Sequence, residues 1–274
     1  MLVAAAVCPC PPLLIPEVAA GAAPEMDAAR AACSDAIAVL AASRPDRLVV
    51  VGPAGAGDAG THAQGARGSF RGFGVDLDVR LGETLADAVG APEGEDAPEG
   101  ESGPEDGPRD GFEDGPGDGS EGEPDAAGEL PVSLAVAGWL LERTRWAAAP
   151  LEGVGVAESL AAERCVQVGE EIAARAKRVA LLVMGDASAC RTLKAPGYLD
   201  ERAAGFDVAV ARALAAADVE ALKELDVDLA GQLKAAGRAP WQVLAGAAGG
   251  AGLGGRLLFD DAPYGVGYLV ATWS

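Results

Sequence analysis

The sequence predicts an α/β fold built on a mixed, largely parallel sheet with helices on both faces. Two runs, Arg47 to Gly52 (RLVVVG) and Val179 to Met184 (VALLVM), are continuously apolar, the pattern of parallel strands buried on both sides. Segments with apolar residues at helical spacing separate such runs, which makes strand-helix-strand units. Near the end, Leu257 to Phe259 and Val266 to Trp273 are neighbouring strands joined by a turn-rich hexapeptide, so antiparallel pairing is expected as well.

In chain order, Leu2 to Val7 reads as a short buried strand ended by Cys8-Pro9-Cys10-Pro11-Pro12, whose prolines stop any regular element. Pro24 is expected to open a helix carrying Met26, Ala29, Cys33, Ile37 and Leu40 at helical spacing, which Arg44-Pro45 ends. After the RLVVVG strand, residues 53 to 72 read as a glycine- and alanine-rich loop. Val75, Leu77 and Val79 then alternate with polar residues as a half-buried strand.

Ser133 begins a helix, Gly153 to Val156 reads as a strand, and Ala157 to Ala176 as a helix leading into VALLVM. A loop from Gly185 to Gly197 precedes a helix marked by Phe206, Val210 and Leu214. Shorter helical pieces run through Gly237, and Pro240 opens another helix.

One domain over residues 1–274 is expected, interrupted by an insertion at 91–128. The insertion holds 14 acidic residues against the single Arg109 and reads as disordered, because it cannot bury enough apolar surface to offset its ordering entropy. It accounts for −13 of the net charge of −21, leaving −8 elsewhere. That balance repels phosphate backbones and anionic lipid surfaces, so neither nucleic acid nor a membrane is an expected partner. No stretch reaches the roughly 20 apolar residues of a membrane span. Five cysteines spread through a long chain fit a reducing compartment, hence a cytoplasmic location.

Gly55-Ala56-Gly57-Asp58-Ala59-Gly60 matches GxGxxG after a strand, but no apolar stripe follows it, so no helix N-terminus is available for a pyrophosphate. Ser188 follows the VALLVM strand, yet the glycines of a nucleophile elbow are Asp186 and Cys190, and the base would have to be His62, the single histidine, in a glycine-rich loop. Cys8 and Cys10 are read as pointing to opposite sides, Cys8 into the core and Cys10 into the loop crevice.

Cys-Pro-Cys-Pro-Pro, the LVVVG strand, MGDASA, KAPGYLDERAAGFD, RAPWQVLAGA and DDAPYGVGYLVATW together resemble an actinobacterial branch of the class III extradiol ring-cleavage dioxygenase superfamily, related to the catalytic subunit of protocatechuate ring-opening dioxygenases. The resemblance covers nearly the whole chain outside the insertion. It implies a three-layer α/β/α domain and, in active relatives, ferrous iron held by two histidines and a glutamate, with a further histidine as acid/base.

This chain departs at each of those places. The first-loop histidine position is Cys10, the second-strand position falls at or beside Gly55, the glutamate position near Gly237, and the acid/base position is Ala189. The expectation is therefore a dioxygenase-like protein without its usual iron ligands, with no bound metal or cofactor and altered or absent ring-cleavage activity. The alternative is a non-catalytic relative that binds a small aromatic molecule or a protein. A cysteine-containing metal site using Cys10 and His62 is a minor alternative.

In either case the crevice is expected where the loops after Val7, Val51 and Met184 converge, at the carboxyl ends of parallel strands. Cys10, Asp186, Ser188 and Lys194 are its candidate polar residues, joined by Asp260 and Tyr264 from the closing turn.

Overall fold

The computed structural model describes residues 1–83 and 129–274; the acidic insertion at 91–128 lies outside the described residues. In chain order the strands and helices are β1 (Leu2–Cys8), α1 (Pro16–Ala19), α2 (Asp27–Ala42), β2 (Arg47–Ala54), β3 (Gly60–His62), β4 (Arg67–Ser69), β5 (Asp78–Arg80), α3 (Val132–Arg143), β6 (Leu151–Ala157), α4 (Ala162–Ala173), β7 (Val179–Met184), α5 (Ala203–Ala216), α6 (Val219–Lys223), α7 (Val227–Gln232), α8 (Arg238–Ala247), β8 (Gly255–Asp261) and β9 (Tyr268–Trp273). Seven strands form one sheet in the order β3-β6-β2-β7-β1-β9-β8. The four inner strands β6, β2, β7 and β1 are parallel, while β3, β9 and β8 add antiparallel pairings at the two sides.

The sheet is covered on both faces, giving the three-layer α/β/α arrangement. Ala4, Ala6, Cys8, Leu48, Val50, Ala180 and Leu182 face one way, toward α2 and α3. Val7, Val49, Val51, Leu181 and Val183 face the other, toward α8 and its neighbours. Burial on both faces explains why these strands read as unbroken apolar runs.

On the second face α4 and α8 cross at very close range. A methyl group at Gly169 would lie 2.0 Å from the Val243 carbonyl, and one at Gly246 would lie 2.0 Å from that of Val166. Only glycine at both positions allows this approach.

Several expected boundaries move. Pro24 sits in a 3₁₀ turn rather than opening α2, because the buried Arg30 guanidinium binds the carbonyls of Leu14 and Ala23 and fixes that turn ahead of Asp27. The expected strand over Val75 to Val79 shrinks to Asp78–Arg80, paired with Arg67–Ser69 in a two-stranded ribbon. The expected loop over 53 to 72 contains β3 and β4, and among the described residues up to 83 no α-helix follows the GxGxxG match. The helix expected from Ala157 begins at Ala162. Among the described residues no helix is long and apolar enough to cross a membrane.

Candidate functional site

The parallel strands β1, β2, β6 and β7 end on one edge of the sheet, and their loops converge there. Ser133 ties α3 to this edge by donating from Oγ to the Pro53 carbonyl at 2.6 Å. Three of the four residues after Cys8 are prolines, so Cys10 supplies the sole backbone N–H of residues 9–12. It donates to Asp186 Oδ1 at 2.8 Å. The β7 loop is held to the same place by the Gly185 N–H, which donates to the Cys8 carbonyl at 2.9 Å. The sequence places Cys10 and Asp186 on one edge, and there they meet.

Beneath them Gly237 donates its N–H to the Asp186 carbonyl at 2.9 Å. A Cβ on Gly185 would lie 2.4 Å from Gly237 Cα, and a Cβ on Gly237 would lie 2.3 Å from the Trp241 indole. Two bare backbones and an indole thus close the floor of the crevice.

Two residues that sequence reasoning did not single out complete it. Tyr268, at the start of β9, is 1% exposed. Its hydroxyl has no hydrogen-bond partner among the described residues, yet it is not sealed from solvent. Glu158, at the end of β6, stands on the rim. Its position follows from Arg238, whose guanidinium donates to the carbonyls of Glu158 and Leu160 and to Gln242 Oε1, holding residues 158–160 as a turn. This is why α4 starts late. Glu158 follows a buried parallel strand, but that signal is masked by the helical spacing that runs on from 157; Tyr268 had none.

Burial raises the Asp186 carboxyl to about 7, and the negative charge of Glu158 adds to the rise against the stabilising Cys10 N–H. Part of the Asp186 surface stays open, and its Oδ2 accepts no hydrogen bond from a described residue. Burial first, then the charges of Asp186 and Glu158, push the Cys10 thiol well up. Burial, then Asp186 and Cys10, push Tyr268 up in the same way.

The remaining candidates are dispersed. Ser188 is fully buried and gives its N–H to Asp207 Oδ1 at 2.8 Å and its hydroxyl to Oδ2 at 2.9 Å, while Arg191 donates to the same oxygen. It is a clasp between the β7 loop and α5, turned away from the crevice. Lys194 is exposed on the loop that follows. Asp260 is exposed on β8, opposite Leu269. Tyr264, with φ 56°, donates its hydroxyl to Glu25 Oε2 at 2.7 Å on the rim.

The reading of Cys8 and Cys10 as pointing apart is corrected: both pack into the cluster on the α2 side, where Cys8 touches the Cys33 thiol. Residues two apart in an extended segment share a face. His62 lies on β3, four strands from β1, with Nε2 at 3.1 Å from the Asp58 carbonyl oxygen. At roughly 4.8 Å per strand that is about 19 Å, so Cys10 and His62 do not share a metal.

No protein-family model matches the chain, and no curated protein matches it. Among solved structures it is similar to the crystal structure of the uncharacterized protein JW3007 from Escherichia coli K12, at 13% identity with a TM-score of 0.50. The match covers 99% of this chain and 100% of that one. At that identity the likeness concerns the fold alone.

The residues at this edge do not fit the iron set that the resemblance implies. Gly55, Gly237 and Ala189 carry no donor atoms, there is no room for a longer side chain at Gly237, and the Cys10 thiol is held in its neutral form. Among the described residues no three His, Cys, Asp or Glu side chains converge as a ligand set.

Proposed function

We propose that this chain is a class III extradiol dioxygenase-like protein that does not open rings and instead binds a small hydroxylated aromatic molecule at the carboxyl edge of its sheet. The observation that carries the reading is the pairing of Asp186 with the Cys10 amide, which leaves Asp186 Oδ2 without a protein donor, near enough to Tyr268 for its charge to act on a hydroxyl that stays open to solvent. These two oxygens match the adjacent hydroxyls of a catechol, one accepting and one able to donate or accept. The resemblance in sequence motifs supports the aromatic class, and the missing ligands argue against iron chemistry.

The test pairs two measurements on the full chain. Protein purified anaerobically with ferrous iron is expected to retain clearly less than one iron per chain and to leave catechols uncleaved. Catechol is expected to raise the melting temperature of the wild type and not of Asp186→Asn or Tyr268→Phe. Stoichiometric iron with ring opening, or an unchanged catechol response in both variants, would overturn the proposal.

A second reading, a protein-binding relative, has one observation in its favour. Leu193, Tyr198 and Leu199 are all exposed on the loop that packs against the Pro263–Gly265 turn.

A further inference from the structure

We infer that the open edge of the central sheet pairs with the same edge of a second copy of this chain, β8 against β8 about a two-fold axis, with Arg256 of each copy opposite Asp261 of the other. The pairing involves neither the crevice nor a ligand bound there.

β8 ends the sheet, and among the described residues its backbone is hydrogen-bonded to β9 alone. It is 7 residues long, against 3 for β3 at the other edge. A row of unpaired N–H and C=O groups of that length is a template for another strand. The strand is accessible: Arg256, Asp260 and Asp261 are exposed, and Leu257, Leu258 and Phe259 are only partly buried. α5 packs on β8, and its solvent side carries Ala204, Gly205, Val208, Ala209 and Ala216 with Arg212 as the single charge, so no row of long charged side chains shields that side.

Charges and bulges commonly guard a sheet edge, and β8 has both. Here they select one register. The bulge lies between Leu257 and Phe259. Residues opposite each other across β8 and β9 share a face, so Arg256, Phe259 and Asp261 lie with Leu258 on the α2 face, while Leu257 and Asp260 lie on the α5 face. A two-fold axis perpendicular to the sheet keeps every side chain on its own face. Over residues 256–261 the register that satisfies this has its axis between Leu258 and Phe259. It sets bulge against bulge, Leu258 against Phe259, Leu257 against Asp260 and Arg256 against Asp261.

That register also matches charge. Among the described residues Arg256 and Asp260 have no ionic partner, and Asp261 accepts one hydrogen bond, from the Ala262 amide at 2.7 Å. Symmetry makes the contact between Arg256 and Asp261 twice in each dimer. An in-register parallel pairing would instead set arginine beside arginine and aspartate beside aspartate, which opposes it. Main-chain bonds between the two strands satisfy the open edge, as in other cases of strand addition.

The test follows the full chain by sedimentation velocity from low to high micromolar concentration at physiological ionic strength, which screens the repulsion between two acidic copies. A reversible monomer–dimer equilibrium is expected, with hydrogen exchange in β8 slowing as the dimer fills. Arg256→Asp and Asp261→Arg are each expected to weaken dimerisation about tenfold, because each turns two opposite-charge contacts into two like-charge ones. The double variant, Arg256→Asp with Asp261→Arg, is expected to restore it. Asp261→Arg separates the pairing from general electrostatics: it lowers the net charge of −21 in magnitude, so repulsion between copies alone would make this variant dimerise more tightly.

A chain that stays monomeric throughout would overturn the inference. So would a dimer that neither single variant weakens, one that the double variant fails to recover, or one that leaves exchange in β8 unchanged, since each of these places the contact on another surface.

Discussion

The Cys10 amide and the Asp186 carboxylate meet at 2.8 Å across 176 residues of sequence, so one hydrogen bond joins the loop after the first strand to the loop after the seventh. The acceptor is itself uncomfortable there. A carboxyl that ionises only near pH 7 is bound to the folded chain in protonated form over a range where the unfolded chain would already have released its proton.

That linkage has a sign. Between about pH 4 and 7 the folded state holds more protons at Asp186 than the unfolded state does, so this group's contribution to stability falls as pH rises through that window and is flat above it. Asp186→Asn retains an acceptor for the Cys10 amide and cannot ionise. Its stability relative to wild type is expected to improve between pH 5 and pH 8. With the open part of the side chain discounted, the gain is about 1 kcal/mol, or about 2–4 °C. Thermal unfolding at the two pH values checks this, and a difference that does not change with pH would refute it.

The Ser188 clasp makes a different forecast. Asp207 is 2% exposed and accepts from the Ser188 amide, the Ser188 hydroxyl and Arg191. Asp207→Ala leaves all three donors without their acceptor and is expected to cost about 2–4 kcal/mol in urea unfolding. Ser188→Ala removes one neutral bond and is expected to cost about 1 kcal/mol. The reverse ranking would mean that the serine, and not the carboxylate, organises the loop.

How far this was legible in the sequence depends on the range over which each feature is determined. RLVVVG and VALLVM declare themselves because burial on both faces leaves no polar position in the run, and parallel order then sends the loops after them to one edge. That is enough to bring Cys10 and Asp186 together on paper. Glu158 was hidden because the apolar spacing of 157–176 continues smoothly while Arg238, some 80 residues away, holds 158–160 out of the helix. Tyr268 looks like any strand aromatic; what distinguishes it is the absence of a partner, which no local pattern records. Ser188 had a visible place at a strand end, but the carboxylate that turns it inward lies 19 residues on, in a helix whose register the sequence does not announce.

Two glycine substitutions should move stability in opposite directions. At Gly246 an added methyl meets the Val166 backbone at 2.0 Å, and neither helix can shift without disturbing the sheet beneath, so Gly246→Ala is expected to cost about 3 kcal/mol. Gly205 lies exposed in α5 with nothing within 4 Å of the new methyl, so Gly205→Ala is expected to stabilise by about 0.5–1 kcal/mol. Urea midpoints of the two variants check the pair.

The last prediction concerns the thiols and bears directly on any metal chemistry at this edge. All five cysteines are free and buried, and at Cys10 burial acts together with the charges of Asp186 and Glu158 to keep the proton on sulfur. The thiolate is the form that attacks a disulfide reagent and the form that binds iron or zinc, so one property governs both. The native chain at pH 8 is therefore expected to show no fast-reacting thiol toward an aromatic disulfide reagent, and five after denaturation. Asp186→Asn removes one of the two charges that oppose ionisation and should speed the Cys10 reaction, an increase that Cys10→Ala in the same background abolishes. A rapid single-thiol phase in the wild type, lost in Cys10→Ala, would show that the sulfur is ionised and would revive it as a metal ligand or nucleophile.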